Sequence, residues 1–264
     1  MEERKGYDSY GGFAALYDRL MSDVPYDEWT DRILELLAGA GISEGLCADL
    51  ACGTGSITRR LADRGFDMIG IDLSGEMLQV AGEREEEQQA SRPPVLYLQQ
   101  DIRSFELYGT VRAIVCACDS INYILETEEV EQVLRLVNNY LDPGGMLVMD
   151  FHTPYYFREV LGEETISDID EDVALIWENE ELEDGCHASS LTIFQQLEDG
   201  TYSRTDEEHI QRGYTMEEMR RLAENAGLKD VHFYDGYSRE AAGPESERIV
   251  MTAVECGKTP QQDQ

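Results

Sequence analysis

Positive charge is scarce in this chain. Lysine and arginine together number 21 against 55 aspartates and glutamates in 264 residues, a formal net charge of −34. A surface of that sign repels phosphate backbones, so a nucleic acid would need a local basic patch to bind. The densest basic clusters are the pairs Arg59-Arg60 and Arg220-Arg221, each on an amphipathic helical pattern. No nucleic-acid partner is therefore expected, and the acidity reads as a highly solvated surface. Long apolar runs are also missing. None approaches the ~20 residues that a membrane helix needs, and the opening MEERKGYDSY has no apolar signal-peptide core. A soluble, cytoplasmic protein with no membrane partner is expected. Histidine is sparse: His152, His187, His209 and His232 are scattered with no metal-ligand spacing, so no metal is expected. Nothing in the pattern fixes an oligomeric state.

What is present suffices for a packed core, with hydrophobic residues at 42% and aromatics at 9%. The six cysteines fall mostly inside apolar strand-like runs. Cys116 and Cys118, two apart on one face of a strand, suit neither a redox pair nor a zinc knuckle, and the set reads as core thiols. From about residue 46 short apolar runs alternate with helical periods. Strands are expected at Leu46–Leu50, Met68–Ile71, Val95–Leu98, Val111–Ala117 and Met146–Phe151. Between them Ser74 can cap a helix carrying Met77, Leu78 and Ala81. Thr127 opens another with Val130, Val133, Leu134, Val137 and Leu141 as one stripe, broken by Asp142-Pro143-Gly144-Gly145. Such alternation argues a parallel sheet covered on both faces.

Two segments lie outside that rhythm. Residues 1–45 hold a Tyr-rich stretch and a helix with Ile33, Leu36, Leu37 and Ala40 on one face, read as an N-terminal helical cap. Residues 160–213 hold β-like runs at Val173–Glu178, Ala188–Leu197 and Thr201–Gln211. These surround the turns Glu183-Asp184-Gly185 and Glu198-Asp199-Gly200, and they are read as an antiparallel β insertion. The main domain thus comprises 1–159 and 214–256, with 257–264 as a tail. In its second part Thr215-Met216-Glu217-Glu218 forms a capping box, its helix ends at Gly227, and strands follow near Val231–Tyr234 and Arg248–Val254.

The sharpest signal is Asp49-Leu50-Ala51-Cys52-Gly53-Thr54-Gly55, between the first strand and a helix. Gly53 and Gly55 permit backbone angles and a ligand approach that a side chain forbids. The first strand-to-helix turn of an open α/β sheet lies at the crevice where ligands bind. Asp72 ends the second strand, where a carboxylate can accept both hydroxyls of a ribose. A dinucleotide fingerprint would place a third glycine at position 58, which is Thr58 here. The acidic Asp49 suits a cationic ligand end better than a pyrophosphate.

These residues resemble the DxGxGxG motif of the class I S-adenosylmethionine-dependent methyltransferases, with Ala51 at the first glycine. The resemblance continues through Gly70-Ile71-Asp72-Leu73-Ser74-Gly75-Glu76-Met77, Gln100-Asp101-Ile102, Cys118-Asp119-Ser120-Ile121-Asn122-Tyr123 and Leu141-Asp142-Pro143-Gly144-Gly145, in family order over about residues 45–152. It implies an α/β fold, a doubly wound, mostly parallel seven-stranded sheet of the Rossmann-like methyltransferase type with an antiparallel β insertion. It implies S-adenosylmethionine as cofactor and S-adenosylhomocysteine as product. Asp49, Ala51, Gly53 and Gly55 would hold the methionine end, and Asp72 the ribose. Leu73 and Met77 would lie against the adenine, with Asp101 and Ile102 at its amino group and ring, and Cys118 in the fourth motif.

The flanks resemble a narrower bacterial group of small methyltransferases. Its members share a sequence like Phe13-Ala14-Ala15-Leu16-Tyr17-Asp18 and Val24-Pro25-Tyr26-Asp27-Glu28-Trp29, and place a β-rich lid after the fifth strand. Tyr7, Tyr10, Tyr17, Tyr26 and Trp29 fit either core aromatics or a cap over the methionine end. Met77 fits either the cofactor or ordinary helix core. Asp119, Ser120 and Asn122 fit either substrate positioning or backbone capping, and His152 and Tyr155 a base or an orienting group. His187 and His209 read as structural.

Methyl transfer from a sulfonium is an in-line displacement needing alignment and exclusion of water, not a covalent enzyme intermediate. The Asn-Pro-Pro-Tyr-type motif of nucleic-acid N-methyltransferases is absent, with Cys118-Asp119-Ser120-Ile121 in its place. The expected activity is methylation of a small-molecule acceptor, with Asp119, Asn122 and His152 as catalytic candidates. The rivals are a non-catalytic S-adenosylmethionine-binding module and a nicotinamide-dependent oxidoreductase on the same scaffold.

Overall fold

The computed structural model describes residues 17, 19–88, 92–182, 185–197 and 199–258. Tyr7 and Tyr10, residues 13–16 and 18 of the N-terminal motif, parts of the two Asp-Gly turns and the end of the tail lie outside the described residues.

The chain runs α1 (Tyr26–Gly39), β1 (Gly45–Leu50), α2 (Ser56–Asp63), β2 (Phe66–Asp72), α3 (Gly75–Gln88) and β3 (Leu96–Gln99). It continues through β4 (Val111–Cys116), a 3₁₀ turn at Ser120–Tyr123, α4 (Thr127–Tyr140) and β5 (Leu141–His152). After a π-helical turn at Tyr156–Leu161 come four more strands: β6 (Thr165–Ile169), β7 (Val173–Glu181), β8 (Cys186–Gln196) and β9 (Tyr202–Arg212). The chain closes on α5 (Met216–Asn225), β10 (Leu228–Asp235) and β11 (Arg248–Glu255).

Seven strands form one sheet in the order β10-β11-β5-β4-β1-β2-β3, parallel except for β11, which is antiparallel to both its neighbours. Successive strand residues point opposite ways, and helices cover both faces. Ala48, Ile114, Cys116, Leu147 and Met149 pack with Val130, Leu134 and Val137 of α4 and Met219 and Leu222 of α5. Cys47, Ala113, Val115, Met146 and Val148 face the other way, onto Ile33 and Leu37 of α1 and Ile57 and Leu61 of α2. Strand order reverses between β1 and β4, so the crevice opens at their carboxyl ends.

β6 to β9 form a separate antiparallel sheet in sequence order. It holds one strand more than the residue pattern indicates: β6, Thr165–Ile169, is exposed throughout and so carries no apolar alternation. Two other expectations need correction. Asp142–Gly145 does not end the helix as a separate turn but lies inside β5, where pairing with β4 jumps from Val111↔Leu141 to Ala113↔Met146. Ala40 is exposed at the end of α1, and the buried stripe uses Thr30 instead.

The Thr215 capping box is present, with its hydroxyl accepting from the Glu218 amide at 3.2 Å and the Glu218 carboxylate accepting from the Thr215 amide at 3.0 Å. Thr215→Ala should lower stability by about 1 kcal/mol, or about 2–4 °C in Tm. Thermal melts showing no shift would mean that α5 is held by packing alone.

Candidate active site

The loop after β1 is wound left-handed at Ala51 (φ 54°), Gly53 (φ 54°) and Gly55 (φ 75°). At Gly53 a side chain would enter open space, which leaves the backbone accessible. At Gly55 a Cβ would come within 2.5 Å of the Tyr97 hydroxyl, so only glycine fits. Ala51 takes the same kind of backbone angle with a methyl group, at a cost in strain. Asp49, at the end of β1, is buried and accepts the Thr58 hydroxyl at 2.5 Å. Position 58 therefore serves the strand-end acid through its hydroxyl, where a dinucleotide loop uses a glycine for close packing. Asp72, at the end of β2, accepts the Gly53 amide at 2.7 Å on one oxygen and the Ser74 amide at 2.9 Å on the other. Burial raises both acids. Asp49 reaches about 7, with Asp72 nearby adding to the rise and the Thr58 bond opposing it. Two buried acids with no countercharge among the described residues suit a ligand that brings a cation and hydroxyl donors.

The loop after β4 is built differently. Cys118 (φ 60°) and Asp119 (φ 50°) are both left-handed, and their amides donate to Asp150 of β5 at 3.1 and 2.5 Å. Asp150 is fully buried and also accepts from the Tyr237 hydroxyl at 2.5 Å and Arg248 at 2.9 Å. Arg248 extends to Asp119 at 2.6 Å and to His152 Nε2 at 2.8 Å, and lies 5.0 Å over the Trp29 ring. Trp29 in turn stacks on Tyr237 at 4.4 Å. Burial alone would raise Asp119, but the Arg248 charge beside it brings it below the usual carboxylate range.

One cavity of about 1640 Å³ joins these loops. Asp49, Ala51, Gly53, Asp72, Leu73, Met77, Asp101, Ile102, Cys118, Tyr17 and Tyr26 all line it; Gly55 does not, and serves the packing against Tyr97. Met77 is at the same time buried core, clustered with Val173 and Ile193 of the second sheet. Asp101 has its carboxylate engaged by Arg103 at 2.6 Å, which lowers its pKa. Tyr17 and Tyr26 stay un-ionised, as burial pushes both phenols up. The cysteines divide: Cys47 and Cys116 are core, Cys52, Cys118 and Cys186 line the cavity, and Cys256 is exposed. Cys118 lies beyond the end of β4 and does not share a strand face with Cys116.

Asp119, Asn122 and His152, the catalytic candidates, are not among the residues lining the cavity, and each is hydrogen-bonded to protein groups. Asn122 is fully buried, donates to the carbonyls of His152 (2.9 Å) and Arg212 (2.6 Å), and accepts the His152 amide at 2.9 Å. His152 accepts from Arg248 on Nε2, which leaves the proton on Nδ1 facing the Glu247 carbonyl at 3.2 Å. Burial and the Arg248 charge lower its pKa, so the ring is neutral with no lone pair open to a substrate.

The sequence reading expected the insertion as a lid but did not name the residues it contributes to the wall: Glu180, Leu182, Cys186, Ala188, Glu208, Ile210 and Arg212. Period-2 alternation within the β-like runs was the available signal for which of them share a face. It missed Asp150 and Arg248 as well, although a charge inside the apolar run Met146–Phe151 marks a buried ion that needs a partner. Asp150→Ala would strip Arg248 of one of its two carboxylates and free two left-handed amides. It should lower unfolding stability by about 3–5 kcal/mol. Denaturant melts with a loss under about 1 kcal/mol, the scale of an exposed pair, would show the cluster to be dispensable.

Comparison with known proteins places this geometry. The family model described as "Methyltransferase domain" matches residues 47–145. YqeM of Bacillus subtilis (strain 168), a protein named as a methyltransferase, is 36% identical over 245 residues, covering 92% of this chain and 96% of its own. A crystal structure of an S-adenosylmethionine-dependent methyltransferase from Clostridium acetobutylicum ATCC 824 superposes with a TM-score of 0.85 at 30% identity, covering 94% of this chain and 99% of that one. A more partial relative is the dTDP-3-amino-3,4,6-trideoxy-alpha-D-glucopyranose N,N-dimethyltransferase of Streptomyces venezuelae, 30% identical over 45% of this chain and 46% of its own. With the wound glycine loop, the strand-end acids Asp49 and Asp72 and the seven-stranded sheet, these relationships make the chain a member of the class I S-adenosylmethionine-dependent methyltransferases.

Proposed function

We propose that the chain holds S-adenosylmethionine on the loops after β1, β2 and β3 and methylates a small acceptor between those loops and the four-stranded sheet, which acts as a lid. One observation carries this reading: the motif loops and the insertion are walls of a single cavity. Its volume exceeds the ~300–1,000 Å³ usual for one ligand, leaving room for two molecules.

In this reading Asp72 accepts the ribose hydroxyls with the lone pairs left over from Gly53 and Ser74. Asp49 faces the ammonium of the methionine end, and Ala51 and Gly53 let it approach the backbone. Leu73 and Met77 take the adenine faces, and Asp101 and Ile102 its edge. Bound there, the cofactor supplies a methyl group already activated on a sulfonium. The chain's own task is alignment and exclusion of water. Tyr17, Tyr26 and Cys118 surround the space for the acceptor, and the insertion closes it. Asp119, Asn122 and His152 act one step removed, as positioning residues that hold the 117–122 wall. The acidic surface favours an acceptor among metabolites and not nucleic acid.

Release of S-adenosylhomocysteine should be stimulated by the low-molecular-mass fraction of a cell extract and not by its nucleic acid or protein fractions. The reverse pattern would overturn the small-acceptor reading. Asp72→Ala should weaken S-adenosylhomocysteine binding by about tenfold or more, as each lost bond to a charged acceptor is worth roughly 1.5–3 kcal/mol. Unchanged affinity by calorimetry would remove the ribose assignment.

The Asp49 assignment gives a pH dependence. Asp49 in the free protein titrates at about 7, and the ligand ammonium requires its ionised form. Below that pH, binding must expel a proton. Affinity should therefore fall as pH drops below about 7, by up to about tenfold per unit. Asp49→Asn should bind more weakly and flatten the profile. A wild-type profile that is flat from pH 7 to 5 would dissociate Asp49 from the cofactor.

A further inference from the structure

The charge lining the cavity bears on the acceptor's class, given the reading that acceptor and cofactor share that cavity. Six carboxylates line it, those of Asp49, Asp72, Asp101, Glu126, Glu180 and Glu208, against two guanidinium groups, Arg103 and Arg212. Both cations are engaged by the protein. Arg103 holds Asp101 at 2.6 Å and Glu129 at 3.2 Å. Arg212 holds the Leu125 carbonyl at 3.0 Å and Glu218 at 3.1 Å. A phosphate entering this space finds no uncommitted lining cation among the described residues, and it faces a net negative wall. Phosphate recognition relies on such cations or on a helix N-terminus. The helix start nearest the β1 loop sits beside two buried acids.

The carboxylates divide by what holds them. Asp49 accepts from Thr58 of α2, Asp72 from the Gly53 and Ser74 amides, and Asp101 from the Arg103 amide. Glu126, Glu180 and Glu208 are exposed, and no described residue engages their side chains. Pairing places Glu180 opposite Ala188, and Ala188 opposite Ile210, so Glu180 and Glu208 share one face of the second sheet. Acids at a surface are ordinarily just solvated. These line the same cavity as three phenol rings, Tyr17, Tyr26 and Tyr123. Aromatic rings and uncommitted carboxylates together can recognise a cationic nitrogen.

We infer that the acceptor is a small molecule that presents an amine to Glu126, Glu180 and Glu208 and carries no phosphate. This separates the chain from its relative named for a dTDP-linked amino sugar: the amine is shared, the nucleotide is not.

Saturation-transfer NMR on the complete chain loaded with S-adenosylhomocysteine tests this with defined probes. These are ethanolamine, glucosamine and spermidine as amines, glucose as the neutral control and thymidine diphosphate as the phosphate. At least one amine should bind, with glucose and thymidine diphosphate negligible. The double variant Glu180→Gln, Glu208→Gln should weaken that amine by about tenfold while S-adenosylhomocysteine affinity holds. No binding by any amine, an amine that the double variant holds as well as the wild type does, or thymidine diphosphate binding more tightly than the amines would each overturn the inference. The underlying shared-cavity reading fails separately, if S-adenosylhomocysteine affinity ignores Asp72→Ala.

Discussion

Asp72 on β2 and Asp150 on β5 each accept two backbone amides, and between them they fix the loops that frame the cavity. Asp72 ties the loop after β1 to the one after β2 through Gly53 and Ser74. Asp150 takes both amides of the left-handed pair Cys118-Asp119 after β4. The two sit on opposite sides of the point where strand order reverses, each on the strand flanking the central β1–β4 pair. Ala51, Cys118 and Asp119 are three of the four non-glycine residues with positive φ among those described, and all three lie on these loops. Backbone held in sparsely populated regions persists only where the surroundings over-determine it. Here carboxylate–amide bonds do so, and the shape of the crevice follows from them.

The Asp150 anchor reaches further than the loop. β11 enters the sheet antiparallel beside β5 and brings Arg248 opposite His152, so that its guanidinium reaches both Asp150 and Asp119. Trp29 of α1 covers that guanidinium, and Tyr237 stacks on Trp29 while donating to Asp150. Three distant stretches of chain thus close on one buried ion cluster. A cluster of this kind adds little net stability over an apolar equivalent, yet removing one member is costly. Its contribution here is geometric: it fixes where the β4 loop stands relative to the N-terminal helix that bears Tyr26.

Why some of this was legible in the residues and some was not follows from contact range. Local signals carried well. The parallel strands were readable from apolar runs, α4 from its stripe, α5 from its capping box and the β1 turn from its glycines. β6 was not, since a fully exposed edge strand has no apolar alternation. Asp119, Asn122 and His152 were placed near the crevice by strand-end position alone, and that position cannot say which way a side chain is committed. The partners that commit them, Arg248, Gln211 and the Arg212 carbonyl, lie 90 or more residues away in sequence. The insertion was legible as antiparallel β structure. Its face toward the cavity depended on register and on packing against Met77 and Tyr123, both set by tertiary contacts.

The same long-range partners separate two kinds of buried acid in this chain. Asp119 and Asp150 share the Arg248 cation, and Asp119 is held below the usual carboxylate range. Among the described residues Asp49 and Asp72 have only hydroxyl and amide donors, and burial holds both above it. An internal cation makes an acid's charge part of the fold. Without one, burying the charge is unfavourable until something else neutralises it. Asp49 and Asp72 are in that condition, and both line the cavity at the ends of β1 and β2. In the proposed reading, a ligand bringing an ammonium and hydroxyl donors binds beside these two acids, where the described residues supply no cation.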